Sequence, residues 1–231
     1  VEALRIEAPD GRVDGHLSLA TTAPHATDAA LEWQLHGGDD RPPLAGRLRL
    51  GGELADLRVA HTLTQPTALR LRGNLRAFGD APSWDARLEL PGTRPHDWLA
   101  AAPAGTVAAD LQLDGTFSRV RARGDFRLAE VQGGPYTGEV DASADAAGVD
   151  LRRLALRRED GDGVARLAGT VGYGGSRAMR LDMVLDWERL QWPLDSQPAV
   201  ASRQGRLAID GPLADYGFDL DMRVRRPGSA L

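Results

Sequence analysis

Apolar residues recur at every second position along this chain, each series carrying a glycine on the same phase and then a tight reversal. Leu48-x-Leu50-x-Gly52-x-Leu54-x-x-Leu57-x-Val59 matches Leu111-x-Leu113-x-Gly115-x-Phe117-x-x-Val120-x-Ala122. Both match Leu207-x-Ile209-x-Gly211-x-Leu213-x-x-Tyr216-x-Phe218, and partial copies lie at Leu69 to Phe78 and Ala165 to Val171. A period of two puts all these apolar side chains on one face of a β-strand. No stretch sustains a 3.6-residue period, so helix is expected to be minor. Repetition of the unit predicts a sheet that grows hairpin by hairpin, with one face apolar throughout.

Clean alternation marks Arg47 to Leu50, Ala68 to Leu75, Trp84 to Leu90, Val107 to Phe117 and Val120 to Leu128 as strands. Val149 to Leu156, Val164 to Val171, Arg180 to Trp187, Gly205 to Leu213 and Phe218 to Val224 follow. With Arg, Asp and Gln on the opposite phase, the expected fold is an all-β antiparallel meander with one wet face. Strands about 4.7–4.9 Å apart would make some fifteen of them an elongated sheet of roughly 70 Å. The spacing of three in Leu54 to Leu57, Phe117 to Val120 and Leu213 to Tyr216 breaks the alternation once per unit. A two-residue turn or a bulged hairpin accounts for it. Gly52, Gly73, Gly115, Gly169 and Gly211 are read as bends where the sheet curls, with small residues fitting a crowded spot as the alternative. Arg94 to Thr106 is expected to hold a single helical turn or an irregular crossing, and Pro193 to Ser202 a second irregular link. Residues 1–43 alternate less regularly and form a less regular β segment, while 44–231 form the repeated-hairpin segment.

Aromatic residues make up only 5% of the 231 residues, so Leu, Ala and Val supply most of the apolar mass, which suits thin aliphatic layers. Lys is absent and all 28 basic residues are Arg, a bias we assign to composition rather than to phosphate recognition. A net charge of −5 with interspersed signs gives no nucleic-acid footprint. Without cysteine there is neither a disulfide framework nor a Cys-based metal site, which agrees with an oxidising compartment. The apolar runs are too short for a membrane-spanning helix. The start at Val1, without initiator Met or signal peptide, is read as an excised segment.

Catalytic chemistry finds little support. His16, His25, His36, His61 and His96 share no metal-ligand spacing, and His16 and His61 read as polar-face or turn residues. Glu159-Asp160-Gly161-Asp162-Gly163 lacks the ligand spacing of a calcium loop and reads as a hairpin turn. Gly172-Tyr173-Gly174-Gly175-Ser176 has no strand-to-helix context for a phosphate loop, and no Gly-x-Ser-x-Gly elbow occurs. No enzyme activity, cofactor or metal is expected.

Trp187-x-x-Leu190-x-Trp192-Pro193-Leu194 leads through a polar link to Gly205-x-Leu207-x-Ile209-x-Gly211-x-Leu213-x-x-Tyr216, then alternating Phe218, Leu220 and Met222. This succession resembles the TamB family, the inner-membrane component of the bacterial translocation and assembly module. Trp84 with Ala86, Leu88 and Leu90, followed by Leu111 to Gly115, resembles the same family's repeating unit, as does Gly148 through Thr170. The resemblance covers about Leu44 to Val224. It implies an AsmA-like, bridge-type lipid transfer protein whose sheet curls into a taco-shaped groove. It further implies an inner-membrane anchor outside this chain, a periplasmic location, and an outer-membrane barrel partner reached through other regions.

Two readings of the apolar face remain open. In the first, the face is the inner wall of a groove that carries phospholipid acyl chains between inner and outer membranes. The expected wall is Leu48, Leu50, Leu69, Leu71, Leu75, Leu88, Leu90, Leu111, Leu113, Phe117, Phe126 and Leu128, continuing through Leu167, Val171, Leu181, Met183, Leu185, Leu207, Ile209, Leu213, Phe218, Leu220 and Met222. In the second, the walls close on each other and an exposed edge captures strands, as in a scaffold or chaperone for outer-membrane protein assembly. A β-solenoid enzyme acting on polysaccharide would need clustered charges, which the even spread of Asp and Arg does not supply.

Overall fold

A computed structural model describes residues 3–38, 42–76, 82–98, 104–131, 134–159, 161–173, 179–192 and 200–225. The described residues are almost wholly β. Fifteen antiparallel strands follow one another in sheet order as they do in sequence, so the meander read from the alternation is the observed topology. Helix among the described residues is confined to one 3-10 turn, Pro95–Asp97, inside the stretch where a helical turn or irregular crossing was expected.

The chain divides into two units, 1–117 and 118–231. The first holds β1 (Leu4–Ala8), β2 (Gly11–Leu19), β3 (Ala26–Leu35), β4 (Leu44–Glu53), β5 (Asp56–Gln65), β6 (Leu69–Arg76), β7 (Ser83–Thr93) and β8 (Thr106–Gly115). The second holds β9 (Arg119–Ala129), β10 (Tyr136–Asp145), β11 (Gly148–Arg158), β12 (Val164–Gly172), β13 (Arg180–Trp192), β14 (Val200–Pro212) and β15 (Gly217–Arg225). The irregular-looking N-terminal segment thus supplies three ordinary strands, and β3 continues into the repeated hairpins by pairing with β4, Leu31 opposite Leu48. Of the irregular link expected over Pro193 to Ser202, residues 193–199 lie outside the described residues, as do Asp160 and 174–178, and 200–202 belong to β14 rather than to a link.

Local chemistry decides the turns. In the first repeat Glu53 pairs with Asp56, leaving Leu54 and Ala55 as a two-residue turn. The third repeat has the same spacing and a different turn. Its last ladder pair is Asp210 with Gly217, and the Asp215 N–H closes on the Pro212 carbonyl at 2.9 Å. Pro212 stands where Glu53 stands in the first copy, and it has no N–H for the closing ladder bond. In β11, Asp141 faces Arg153 while Ala142 faces Leu151, so a bulge returns Leu154 and Leu156 to the face of Leu151.

Little of this molecule is interior. Its accessible surface is 15,587 Å², whereas even two separate compact domains of half its mass would expose about 12,000 Å² in total. No described side chain is fully buried; Leu57, Leu63 and Trp187 come nearest among the large apolar ones. Stability therefore rests on ladder hydrogen bonds and half-buried cross-strand pairs.

Candidate functional site: an apolar face in each unit

Register places the apolar phase in continuous rows across the strands. In the first unit one row runs Leu4, Gly15, Leu31, Leu48, His61, Leu71, Leu88, Leu111, one residue per strand from β1 to β8. The next runs Leu17, Ala29, Leu50, Val59, Gly73, Ala86, Leu113. In the second unit Gly124, Val140, Leu154, Leu167, Leu185, Leu207 and Leu220 form one row. Ala122, Ala142, Leu151, Gly169, Met183, Ile209 and Phe218 form the row beside it.

Of the wall residues expected from sequence, Leu48, Leu50, Leu69, Leu71, Leu75, Leu88, Leu90, Leu111 and Leu113 share the apolar face of the first unit and are half-buried. Phe126, Leu128, Leu167, Val171, Leu181, Met183, Leu185, Leu207 and Ile209 share that of the second, also half-buried. Phe218, Leu220 and Met222 carry the face onto β15, where they are exposed. Two residues stand elsewhere. Phe117 lies past the end of β8 and is 75% exposed. Leu213 lies past β14, its N–H bonded to the Met179 carbonyl at 2.7 Å.

The phase also contains residues that the alternation did not single out, Leu31 and Trp33 on β3, His61 and Leu63 on β5, and Val140 on β10, beside Leu57 and Val59 of the first repeat. Four aromatic rings on this face stand directly opposite glycines. The register pairs are Trp33 with Gly46, Trp84 with Gly115, Phe126 with Gly138 and Trp187 with Gly205. A Cβ on Gly138 would collide with the Phe126 ring, and one on Gly205 with the Trp187 indole. These glycines thus make room for rings, a cross-strand complement of volumes. Gly115, expected as a bend, is one of them. Gly169 has another reason: its φ of +142° and the adjacent Asp182 carbonyl leave no place for a side chain.

His61 requires a correction. It was expected on the polar face or in a turn, yet it lies on the apolar face between Leu48 and Leu71. The Trp33 indole N–H donates to His61 Nε2 at 3.2 Å, with the rings 7° from parallel and their centroids 5.7 Å apart. Gly46 on the intervening strand lets the indole pass over. Burial pushes the His61 imidazole below its ordinary value, which favours the neutral form that can accept this bond. The position was missed because a histidine interrupts an otherwise apolar series. His16 is on the polar phase, as expected, 2.8 Å from Asp28.

The opposite face is ionic. Arg87 clasps Asp110 with two guanidinium nitrogens, Arg121 bonds Asp141, Arg127 bonds Glu159 and Arg166 bonds Glu188. The arginines hold the carboxyls of Asp110, Asp141 and Glu188 below the usual range. Asp145 is lowered first by the Ala147 N–H in the β10–β11 turn, then by Arg119. Such exposed pairs order the surface and add little stability. Among the described residues no group of three or more His, Asp or Glu could hold a metal, and no helix is long and apolar enough to cross a membrane.

Each unit thus presents a half-buried aliphatic face backed by a charged one. Compared with known proteins, the chain matches no family model, no curated protein and no solved structure.

Proposed function

We propose that this chain is a segment of a bridge-like lipid transfer protein whose apolar face shelters phospholipid acyl chains between inner and outer membranes. The observation that carries the reading is the continuity of the apolar rows together with their partial exposure: Leu48, Leu71, Leu88 and Leu111 in one unit, and Leu167, Leu185 and Leu207 in the other, are half-buried rather than sealed in a core. Burying a methylene is worth about 0.8 kcal/mol, so an acyl chain of sixteen carbons held out of water gains roughly 12 kcal/mol. A smooth aliphatic wall gives that gain at every register along it, which is what sliding requires. The resemblance to the TamB family supports a periplasmic setting and a barrel partner engaged through regions outside this chain.

The test is binding of a fluorescent fatty acid to delipidated protein. Saturable binding, displaced by unlabelled phospholipid, is expected; absence of binding overturns the reading. The scaffold reading has its own support in β15, whose outer edge has no strand partner among the described residues and whose Phe218 is 69% exposed. Capture of an unfolded outer-membrane strand, with no affinity for lipid, would favour it.

A further inference from the structure

Resting on the lipid reading, we infer that His61 is a binding point for the acyl carbonyl of the lipid. Tryptophan can only donate, so the bond from Trp33 Nε1 at 3.2 Å requires a lone pair on His61 Nε2. In the neutral ring the proton is then on Nδ1, and that nitrogen is an obligate donor. It has no acceptor among the described residues.

The tryptophan and threonine donors nearest in kind on the apolar face are used within the protein. Trp84 Nε1 donates to the Thr116 carbonyl at 3.1 Å, and Thr27 Oγ1 to the His25 carbonyl at 3.1 Å. Among the described residues no fully buried side-chain nitrogen or oxygen lacks a partner, so the His61 N–H keeps access to solvent. Its row neighbours are Leu48 and Leu71, and Val59 and Leu63 flank it along β5. His61 is therefore a single fixed donor set in an aliphatic wall.

A hydrocarbon chain laid over this wall strips water from the donor and leaves it unpaired, whereas a chain whose ester carbonyl stops at β5 satisfies it. The wall thus has one preferred register for an acyl lipid, and neutral His61 selects acyl esters over plain alkyl chains. The headgroup plays no part in this selection.

The matched probes are 1-palmitoyl-lysophosphatidylcholine and its 1-O-hexadecyl ether, which differ in the carbonyl alone. At neutral pH the full chain should bind the acyl lipid about five-fold more tightly than the ether, the worth of one neutral hydrogen bond. His61→Leu should bind both lipids and lose the preference, while His61→Gln, which keeps a donor, should retain part of it. In the unmodified protein the His61 Nδ1 resonance should shift with the acyl lipid and stay in place with the ether, a readout independent of whether a variant folds. Equal affinities, a preference that survives in His61→Leu, or an unmoved Nδ1 resonance overturns the inference and leaves the lipid reading intact. Failure of both lipids to bind overturns the two together.

Discussion

Trp187 stands directly opposite Gly205 on the neighbouring strand, and its indole N–H is accepted by the Ser202 hydroxyl at 3.1 Å. The first unit repeats the relation with Trp33 opposite Gly46 and His61 as the acceptor. In a sheet with so little interior, an aromatic ring laid over a glycine is the largest apolar contact a strand pair can make. It covers backbone that a smaller residue would leave wet.

This relation predicts that filling the glycine is costly. Gly205→Val should displace the Trp187 ring and lower stability by about 2 kcal/mol, an overpacking penalty. Gly51→Ala is the control, because nothing lies within 4 Å of the added Cβ. It should change stability by less than about 1 kcal/mol, through the unfolded chain alone. Urea midpoints of the two variants check both outcomes.

His61 predicts a pH dependence. Its pKa in the folded protein is lowered by burial, so the unfolded chain binds the proton more readily. The stabilising contribution is complete above the ordinary imidazole value of about 6.5 and is lost as pH falls through the folded value. Exposed carboxylates such as Asp110 and Glu188 also lose their arginine partners on acidification, at lower pH. The diagnostic quantity is the difference between wild type and His61→Phe in urea midpoint. Between pH 8 and pH 5 wild type should lose more stability than the variant; parallel curves would assign His61 no such role.

Charges on the wall should separate hydrocarbon binding from folding. Leu113→Asp and Ile209→Arg each place an ion within an apolar row, where covering it with an acyl chain costs several kcal/mol, roughly 3 or more. Asp114→Arg changes charge on the opposite face, across from Asp85. The two wall variants should keep their far-ultraviolet circular dichroism and lose most fluorescent fatty acid binding, and the control should keep both. Folded wall variants with normal binding would remove the apolar face from the account.

The meander, the polar–apolar division of faces and much of the wall were legible because leucine on every second residue has only one simple reading. Legibility failed where cross-strand neighbours decide. β10 reads weakly because Gly138, Ala142 and Ala144 occupy its apolar phase, and Gly138 is small because the Phe126 ring lies over it. β2 hides for a related reason, with Gly11 and Gly15 on the phase of Leu17. β5 was obscured by His61, whose place on the wall depends on a donor two strands away. Leu213 kept the phase in sequence and lost it in space, since Pro212 withholds the N–H that would have closed a tight turn. In each case the missing information was long-range, a volume or a donor supplied by another strand.

The most direct measurement is photo-crosslinking with a fatty acid carrying a diazirine in its chain, followed by mapping of the labelled residues. Label on Leu48, Leu71 and Leu88, and on Leu167, Leu185 and Leu207, with Arg72 and Asp186 on the opposite face unlabelled, is the predicted result. Label spread over the charged face, or no saturable label at all, would contradict an apolar lipid-bearing wall.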